Sequence, residues 1–319
     1  MRAATIRDGE IVVADHPDPT PGHGEVLVRV RAAGLNGADL LQKQGGYPAP
    51  PGSPPDIPGL EFAGEVVEVG PAAERFAAGD AVAGIVGGGG QAELLVVHER
   101  QITPLPEGLD WPEAGGFSEV FTTAHDALAT QAGLRPGERL LVHGGAGGVG
   151  TAAVQIGRAF GAHVTATVRN AELRNRVAAL GAHEVLDPAA FAAKDGPDLE
   201  PYDVVLELVG APNMGANLRR LATGGRIAVI GVGAGLKAEV NLLALMNKRA
   251  SVMGSTLRAR PLEGKAAAAR AVERELLPLV ARGDLRVPIA ATYPLDAAAD
   301  AYARFAAGGK LGKVVLEIG

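Results

Sequence analysis

The sequence predicts an α/β protein in which a mostly β region precedes a doubly wound parallel sheet. Three observations carry this prediction. Residues before 123 form β-branched runs separated by Gly, Pro and Asp turns. Strand and helix patterns alternate from about residue 126, and a glycine-rich turn separates the first strand from the first helix of that alternating part. The length of 319 residues fits two domains of roughly 150 residues each.

The N-terminal region contains four predicted strands, at 25–33, 61–70, 80–86 and 92–97. Between the first two, a helix-like segment "ADLLQKQ" leads into "GGYPAPPGSPPDIPG", which holds six prolines. Because proline lacks an N–H and fixes φ, this stretch forms neither a helix nor a central strand. Tyr47 therefore stands at the start of an irregular loop.

The alternating part begins with the buried-strand pattern "RLLVHG", followed by apolar residues at helical spacing from Val149 to Phe160. Further helices are predicted at 171–180 and 213–222. Further strands are predicted at 163–168, 183–187, 202–210, 225–233 and 250–256. A helical pattern at 263–283 and a last strand, "KVVLEIG", follow. The predicted domains are 1–122, 123–258 and 259–319, and the last of these is expected to return to the first.

Composition and charge limit the function classes. The net charge of −6 is mild and no basic run is present, which is not typical of proteins that bind nucleic acid or acidic membranes. No segment holds 18 uninterrupted apolar residues and the first residues lack a signal-peptide core, so we expect a cytoplasmic protein. Since there is no cysteine and the seven histidines never lie four residues apart, the sequence predicts no metal site.

The turn "GGAGGVG" at 144–150 carries the first functional signal. Gly145, Gly147 and Gly150 form a G-x-G-x-x-G pattern, which permits a tight turn, close approach of the backbone to a pyrophosphate and close packing of helix on sheet. The free N–H groups and the dipole of the following helix favour an anion there. Placed between a buried strand and an amphipathic helix, the pattern predicts a Rossmann dinucleotide site. Glycines that serve only the turn are the alternative.

The predicted dinucleotide is NADPH. Sites for NADH place an acidic residue roughly 20 residues after the glycine motif, where it accepts a hydrogen bond from the ribose 2′-hydroxyl. Here the second strand of the unit ends in "TATVRNAE", with no acidic residue before Glu172 and with Arg169 at its tip. A guanidinium suits a 2′-phosphate. A solvated loop charge is the alternative interpretation of Arg169.

Long segments of the chain together resemble a known family. They are "GEVLVRVRAAGLNGADLLQKQGGYPAPPG", "IPGLEFAGEVVEVG", "GGGGQAELLVV", "HGGAGGVGTAAVQIGRAFGA" and "GKVVLEI". In this order, and over nearly the whole length, the chain resembles the zinc-independent quinone oxidoreductases of the medium-chain dehydrogenase/reductase superfamily. The resemblance implies a GroES-like catalytic domain in addition to the Rossmann domain, and a homodimer paired through the edge strand at 250–256.

The resemblance also implies the site residues. Asn36 beside the nicotinamide and Tyr47 in the acceptor pocket are the predicted catalytic residues. The predicted cofactor-binding residues are Asn36, Thr122, Gly145, Ala146, Gly147, Gly148, Val149, Arg169, Asn170, Gly231 and Leu257. For Asn36 the alternative is an Asx-turn residue. For Tyr47 three roles stay open: a pocket wall that hydrogen-bonds a carbonyl, an essential proton donor, or a plain loop residue.

Three positions separate the chain from zinc-dependent relatives. By the resemblance, those relatives carry Cys, His and Cys where this chain carries Asn36, Leu60 and Glu119. The Lewis acid that polarises an alcohol or carbonyl is then absent.

The implied reaction is hydride transfer from NADPH to an acceptor that is already electron-poor, such as a quinone. The competing functions are an enone or alkenal reductase and a cofactor-binding protein with little turnover.

Overall fold

Fifteen β-strands form within residues 1–193 and 199–319, the part of the chain that the computed structural model describes. In chain order they are β1 (Arg2–Arg7), β2 (Glu10–Asp15), β3 (Glu25–Gly34), β4 (Glu61–Val69), β5 (Ala81–Ile85), β6 (Leu94–His98), β7 (Ile102–Pro104), β8 (Arg139–Val142), β9 (His163–Thr167), β10 (Glu184–Leu186), β11 (Tyr202–Glu207), β12 (Leu221–Val229), β13 (Ser251–Gly254), β14 (Ile289–Pro294) and β15 (Lys313–Glu317).

Eleven α-helices lie in the same described ranges. They are α1 (Gly37–Lys43), α2 (Trp111–Gly115), α3 (Ser118–His125), α4 (Gly148–Ala159), α5 (Arg174–Ala178), α6 (Pro188–Ala192), α7 (Met214–Arg220), α8 (Leu242–Asn247), α9 (Leu262–Glu275), α10 (Leu277–Ala281) and α11 (Ala298–Ala306). A π-helical segment, Asp126–Gln131, continues from α3.

Two compact units divide the chain. The first comprises Met1–Thr122, Leu257–Gly309 and Lys313–Gly319, and the second comprises Thr123–Thr256 and Lys310–Gly312. Most residues after 256 therefore belong to the unit that the N-terminal residues form.

The second unit is built on a six-stranded sheet in the order β10-β9-β8-β11-β12-β13, and every neighbouring pair is parallel. β8, β9 and β11 are buried along most of their length, as expected for apolar runs in a parallel sheet covered on its faces. The strand order reverses between β8 and β11, the kind of switch point at which doubly wound sheets bind ligands. The predicted α/β class with a doubly wound parallel sheet is confirmed.

Two predicted helices of this unit are shorter in the structure. The segment predicted as a helix at 171–180 consists of a 3₁₀ turn, Ala171–Leu173, followed by α5. The helix predicted at 213–222 is α7, which ends at Arg220. It ends there because Leu221 is the first residue of β12 and pairs with Tyr202 of β11. That pairing is a contact with a neighbouring strand, so the local helical pattern could not reveal it.

The first unit is built on a seven-stranded sheet in the order β14-β15-β3-β4-β5-β7, with β6 also pairing with β3. β1 and β2 form a separate antiparallel pair. Side chains such as Val28, Phe62 and Leu316 are buried in the core of this unit. Because β15 runs antiparallel to β3, with Val315 opposite Gly34, the last strand lies beside the segment that leads into α1. The mostly β character predicted for this region is confirmed.

Candidate active site

The glycine turn after β8 has no room for side chains at two positions. A Cβ on Gly150 would lie 2.2 Å from the carbonyl oxygen of Gly144, and a Cβ on Gly145 would lie 2.8 Å from the Cβ of Ala166. Gly147 is the N-cap of α4, so Gly148 opens the first helical turn. The N–H groups of that turn have no carbonyl partners within the helix. Together with the helix dipole, they form a place for an anion.

The other predicted cofactor residues of the second unit lie at the same edge of the sheet. Arg169 and Asn170 follow β9, and Gly231 follows β12. The Arg169 side chain is exposed and makes no hydrogen bond or ion pair with the described residues. The N–H of Gly231 donates to the carbonyl oxygen of Glu207 over 3.0 Å. Because the carboxyl ends of parallel strands share one edge, these positions and the glycine turn belong to that edge.

Ala146 and Val149 complete the predicted set in this unit. The carbonyl oxygen of Ala146 accepts a hydrogen bond of 2.9 Å from the N–H of Gly312. Val149 lies in the first turn of α4 and is half-buried. The turn is therefore held by β8, which precedes it, and by a hydrogen bond at Ala146 from the segment Lys310–Gly312 of the same unit.

A buried hydrogen-bond network lies directly before the glycine turn. His143 is fully buried, with Nδ1 3.0 Å from Thr167 Oγ1 and Nε2 2.7 Å from Asn217 Oδ1. Asn217 Nδ2 in turn donates to Glu207 Oε2 over 2.7 Å. Burial lowers the pKa of His143 below its ordinary value, although the nearby Glu207 carboxylate opposes this. The network joins the ends of β8, β9 and β11, which support the turn.

In the first unit, Asn36 belongs to a buried cluster with Glu61 and Lys313. Lys313 Nζ donates to Asn36 Oδ1 and to the carbonyl oxygen of Leu35, and it forms an ion pair with Glu61 Oε1, each over 2.7 Å. Asn36 Nδ2 donates to Glu61 Oε1 over 2.9 Å. The side chains of Lys313 and Glu61 are 2% and 0% exposed. The ammonium thus has a partner for each of its three N–H groups.

Glu61 connects this cluster to α3. Its second oxygen, Oε2, accepts a hydrogen bond of 2.7 Å from the N–H of Glu119. Leu60, the neighbour of Glu61 in the chain, is buried and apolar. The Glu61 carboxylate therefore accepts hydrogen bonds from both the side chain of Asn36 and the backbone N–H of Glu119.

Asp39 is a second buried carboxyl group at the start of α1. It accepts hydrogen bonds from the N–H groups of Asn36 (2.7 Å) and Gly59 (3.1 Å). Burial raises the pKa of Asp39 to about 6, which the two backbone donors oppose. Its bonds join α1 to the end of the proline-rich loop, which is a structural role.

Tyr47 is half-buried at the start of the proline-rich loop. The guanidinium carbon of Arg258 lies 4.8 Å from the centroid of its ring, and Arg258 Nη1 donates to the carbonyl oxygen of Tyr47 over 2.9 Å. Arg258 directly follows Leu257 in the chain. Tyr47 therefore contacts the residue next to Leu257, which is a predicted cofactor-binding residue.

Thr122 and Leu257 line the same cavity, a narrow space of about 20 Å³. Both residues are buried. Thr122 lies on α3 together with Glu119, whose N–H reaches Glu61. The structure thus groups Asn36, Tyr47, Thr122 and Leu257 within the first unit and the remaining predicted positions within the second.

Sequence reasoning missed Glu61, Lys313 and Arg258. Glu61 and Lys313 did leave a signal, because each begins a strand whose other residues are mostly apolar, and buried charges are rare unless paired. Arg258 stands in the polar stretch "STLRAR", where nothing distinguishes it from a surface arginine.

The described residues hold neither a candidate membrane span nor a candidate metal cluster. Residues 1–193 and 199–319 contain no helix that combines the length and the apolar character needed to cross a membrane. Across the same ranges, no group of three or more His, Asp or Glu side chains is arranged to hold a metal ion.

Comparison with known proteins identifies the family. Residues 22–107 match the alcohol dehydrogenase GroES-like domain, and residues 180–316 match the zinc-binding dehydrogenase family. Quinone oxidoreductase of Pseudomonas aeruginosa is 35% identical over 95% of this chain and 94% of its own length. Quinone oxidoreductase of Rattus norvegicus is 32% identical over 93% of this chain and 90% of its own length.

A solved structure agrees with this assignment. The crystal structure of an alcohol dehydrogenase superfamily protein from Novosphingobium aromaticivorans superposes with a TM-score of 0.88 at 29% identity and covers the whole of both chains. The GroES-like and Rossmann architecture implied by the resemblance is confirmed. The chain belongs to the quinone oxidoreductases of the medium-chain dehydrogenase/reductase superfamily.

Proposed function

We propose that this chain reduces quinones with NADPH by hydride transfer and without a metal ion. The cluster around Lys313 carries the proposal. At the positions that correspond to zinc ligands, Leu60 has no donor atom, and Asn36 Oδ1 already accepts from the Lys313 ammonium. That ammonium also lies 2.7 Å from Glu61 Oε1, so it would repel a second cation. These residues do not fit zinc, whereas the glycine turn fits a dinucleotide.

NADPH, when bound, supplies the hydride from its nicotinamide C4. The N–H groups of Gly148 and Val149 would hold the pyrophosphate at the start of α4. Arg169 would bind the 2′-phosphate. Its side chain is exposed and makes no hydrogen bond or ion pair with the described residues, so binding the phosphate would break no contact seen there. In this proposal Thr122 and Leu257 contact the nicotinamide.

Asn36 takes a limited part in this proposal. Its amide is already bonded on both sides, to Lys313 and to Glu61. It can offer an incoming group only the second lone pair of Oδ1, in one fixed direction. We therefore assign Asn36 to orienting the nicotinamide rather than to moving a proton.

Tyr47 is the proposed contact for the acceptor. A quinone becomes a hydroquinone by taking up one hydride and one proton, and the hydride carries both electrons. The Tyr47 hydroxyl would donate a hydrogen bond to the quinone carbonyl oxygen as negative charge develops there. The additional proton comes from water, because the reduced oxygen needs little acid assistance. No Lewis acid is required for an acceptor that is already electron-poor.

A homodimer is also part of the proposal, and exposed apolar side chains of the second unit support it. In the described part of the second unit, the exposed large apolar residues are Val232, Leu236, Leu242, Leu243, Met246 and Val252. Leu236 is 82% exposed and Met246 70%. β13 is the last strand of its sheet. Edge strands with exposed apolar side chains favour pairing with another strand, and we propose that a second copy of this chain supplies it.

The function itself is tested by steady-state oxidation of NADPH with a panel of quinones and a matched panel of α,β-unsaturated ketones. We expect quinone-dependent turnover that is unchanged after dialysis against a chelator, and elemental analysis should find no stoichiometric zinc. Faster turnover of the enones would assign the chain to enone reduction instead. Binding of NADPH without turnover of any acceptor, or about one zinc per chain, would contradict the proposal.

Arg169→Ala should weaken NADPH binding and leave NADH binding nearly unchanged. Loss of one charge-assisted contact to the 2′-phosphate costs about 1.5–3 kcal/mol, or roughly ten- to a hundredfold in the dissociation constant. Fluorescence titration with each cofactor measures this. Arg176→Ala, which removes an exposed arginine from α5 of the same unit, is the matched control and should bind as the wild type does. Equal losses for NADPH and NADH would refute the assignment.

Tyr47→Phe should lower kcat/KM for a quinone roughly threefold to thirtyfold, since it removes about one hydrogen bond, 0.7–2 kcal/mol. Tyr47→Ala should lower kcat/KM further, because the aromatic ring is lost as well. Neither variant should change the dissociation constant for NADPH. Tyr293→Phe, on β14 of the same unit, controls for loss of a tyrosine hydroxyl elsewhere. Full activity in Tyr47→Ala would rule out the acceptor role, and a thousandfold loss in Tyr47→Phe would make the hydroxyl an obligatory proton donor.

Light scattering should give about twice the chain mass of 32.4 kDa at micromolar concentration. Val252→Lys places a charge on the proposed edge and should shift the protein towards the monomer. Val12→Lys is the matched control, since Val12 is 38% exposed on β2 and Val252 is 42% exposed on β13. A monomeric wild type, or equal effects of the two substitutions, would speak against pairing through β13.

A further inference from the structure

Arg258 is a buried cation whose hydrogen-bond partners are all uncharged. The residue is 4% exposed. Its Nε donates to the carbonyl oxygen of Gly87 (2.8 Å), Nη1 to that of Tyr47 (2.9 Å), and Nη2 to Gln42 Oε1 (2.5 Å). It forms no ion pair with any carboxylate of the described residues. Burial lowers the pKa of Arg258, which the charges of the Asp39 and Glu119 carboxylates oppose. Because burial of a charge is costly, a cation held by three fixed hydrogen bonds indicates a role that depends on its geometry.

The three hydrogen bonds join three separate segments of the first unit. Gln42 lies on α1, Tyr47 begins the proline-rich loop, and Gly87 follows β5. Gln42 extends the connection, because its Nε2 donates to the carbonyl oxygen of Pro55 over 3.1 Å. Arg258 therefore holds the start of the loop directly and the region of Pro55 through Gln42.

The loop needs such a donor because of its composition. The six prolines between 48 and 58 have no N–H, so the loop cannot be held by a ladder of backbone hydrogen bonds. A guanidinium directs N–H groups along several fixed directions in one plane. This lets one side chain satisfy carbonyl oxygens from two loops and an amide oxygen from a helix at the same time.

Arg258 also restrains the ring of Tyr47. The distance of 4.8 Å from the guanidinium carbon to the ring centroid lies within the range of cation–π contacts. This contact uses the face of the ring and makes no hydrogen bond to the phenolic hydroxyl. One residue thus holds both the backbone and the ring of Tyr47, while the Tyr47 hydroxyl makes no hydrogen bond within the described part of the chain.

We propose that Arg258 is a positioning residue for acceptor reduction, which fixes the ring of Tyr47 and the proline-rich loop that carries it. This inference rests on the proposed acceptor role of Tyr47. Arg258 acts through Tyr47, so its effect should appear in acceptor turnover and disappear when the tyrosine side chain is absent.

The test is a double-mutant cycle. Arg258→Met should lower kcat/KM for a quinone roughly ten- to a hundredfold, with an unchanged dissociation constant for NADPH. In the Tyr47→Ala background the same substitution should cost no more than about threefold, because no ring is left to position. Arg258→Lys keeps the charge but not the planar guanidinium, so its kcat/KM for the quinone should lie between the values of the wild type and Arg258→Met. Arg100→Met, which removes a half-exposed ion pair with Glu263, is the control and should leave kcat/KM unchanged.

Hydrogen exchange gives a readout that does not depend on turnover. Amides of residues 44–57 should exchange faster in Arg258→Met and Arg258→Lys than in the wild type, while those of β3 and β4 should not. Additive losses in the cycle, weakened NADPH binding, or unchanged loop exchange would overturn the inference. If the wild type reduces no quinone, the proposed function fails, and the exchange measurement alone decides whether Arg258 holds the loop.

Discussion

The buried ion pair between Lys313 and Glu61 is the interaction on which the first unit depends. Lys313 begins β15 and Glu61 begins β4, and both side chains are almost fully buried. Through them the last strand is bonded to the start of α1 at Asn36 and to the start of α3 at Glu119. Removal of one partner of a buried pair costs about 3–5 kcal/mol, because the other charge is left without compensation. The pair therefore helps to fix the positions of these elements, together with the antiparallel pairing of β15 with β3.

The same pair supports the proposal that the chain works without a metal ion. A metal site needs several donor atoms that are free to bind the ion, whereas here the Lys313 ammonium already engages Asn36 Oδ1 and Glu61 Oε1. The cluster keeps the local geometry of α1 and α3 without a metal ion. In the proposed function the chain keeps the hydride donor and lacks the Lewis acid, so its acceptors would be electron-poor molecules.

In the proposed function, the two units use different parts of the chain for recognition: the second binds the cofactor mainly through backbone and the first binds the acceptor through side chains. In the second unit, a Cβ on Gly150 would lie 2.2 Å from the carbonyl oxygen of Gly144, so no side chain fits there and the backbone N–H groups at the start of α4 are what the turn offers to a ligand. The first unit presents side chains held by other side chains, such as Tyr47 against Arg258. Backbone recognition suits a phosphate group that is the same in every cofactor molecule. Side-chain recognition permits the acceptor to differ between related proteins.

The sequence by itself determined the class of the fold and the glycine turn, because both depend on neighbours in the chain. Alternating strand and helix patterns predicted the parallel sheet, and seven consecutive residues contained the turn. The end of α7 could not be predicted, since it depends on Leu221 pairing with Tyr202 of another strand. Only the tertiary structure decided the surroundings of the predicted catalytic residues. Lys313 is 277 positions from Asn36, and Arg258 is 211 positions from Tyr47. Contacts over such separations exist only after the strands have paired, so no local pattern in the sequence records them.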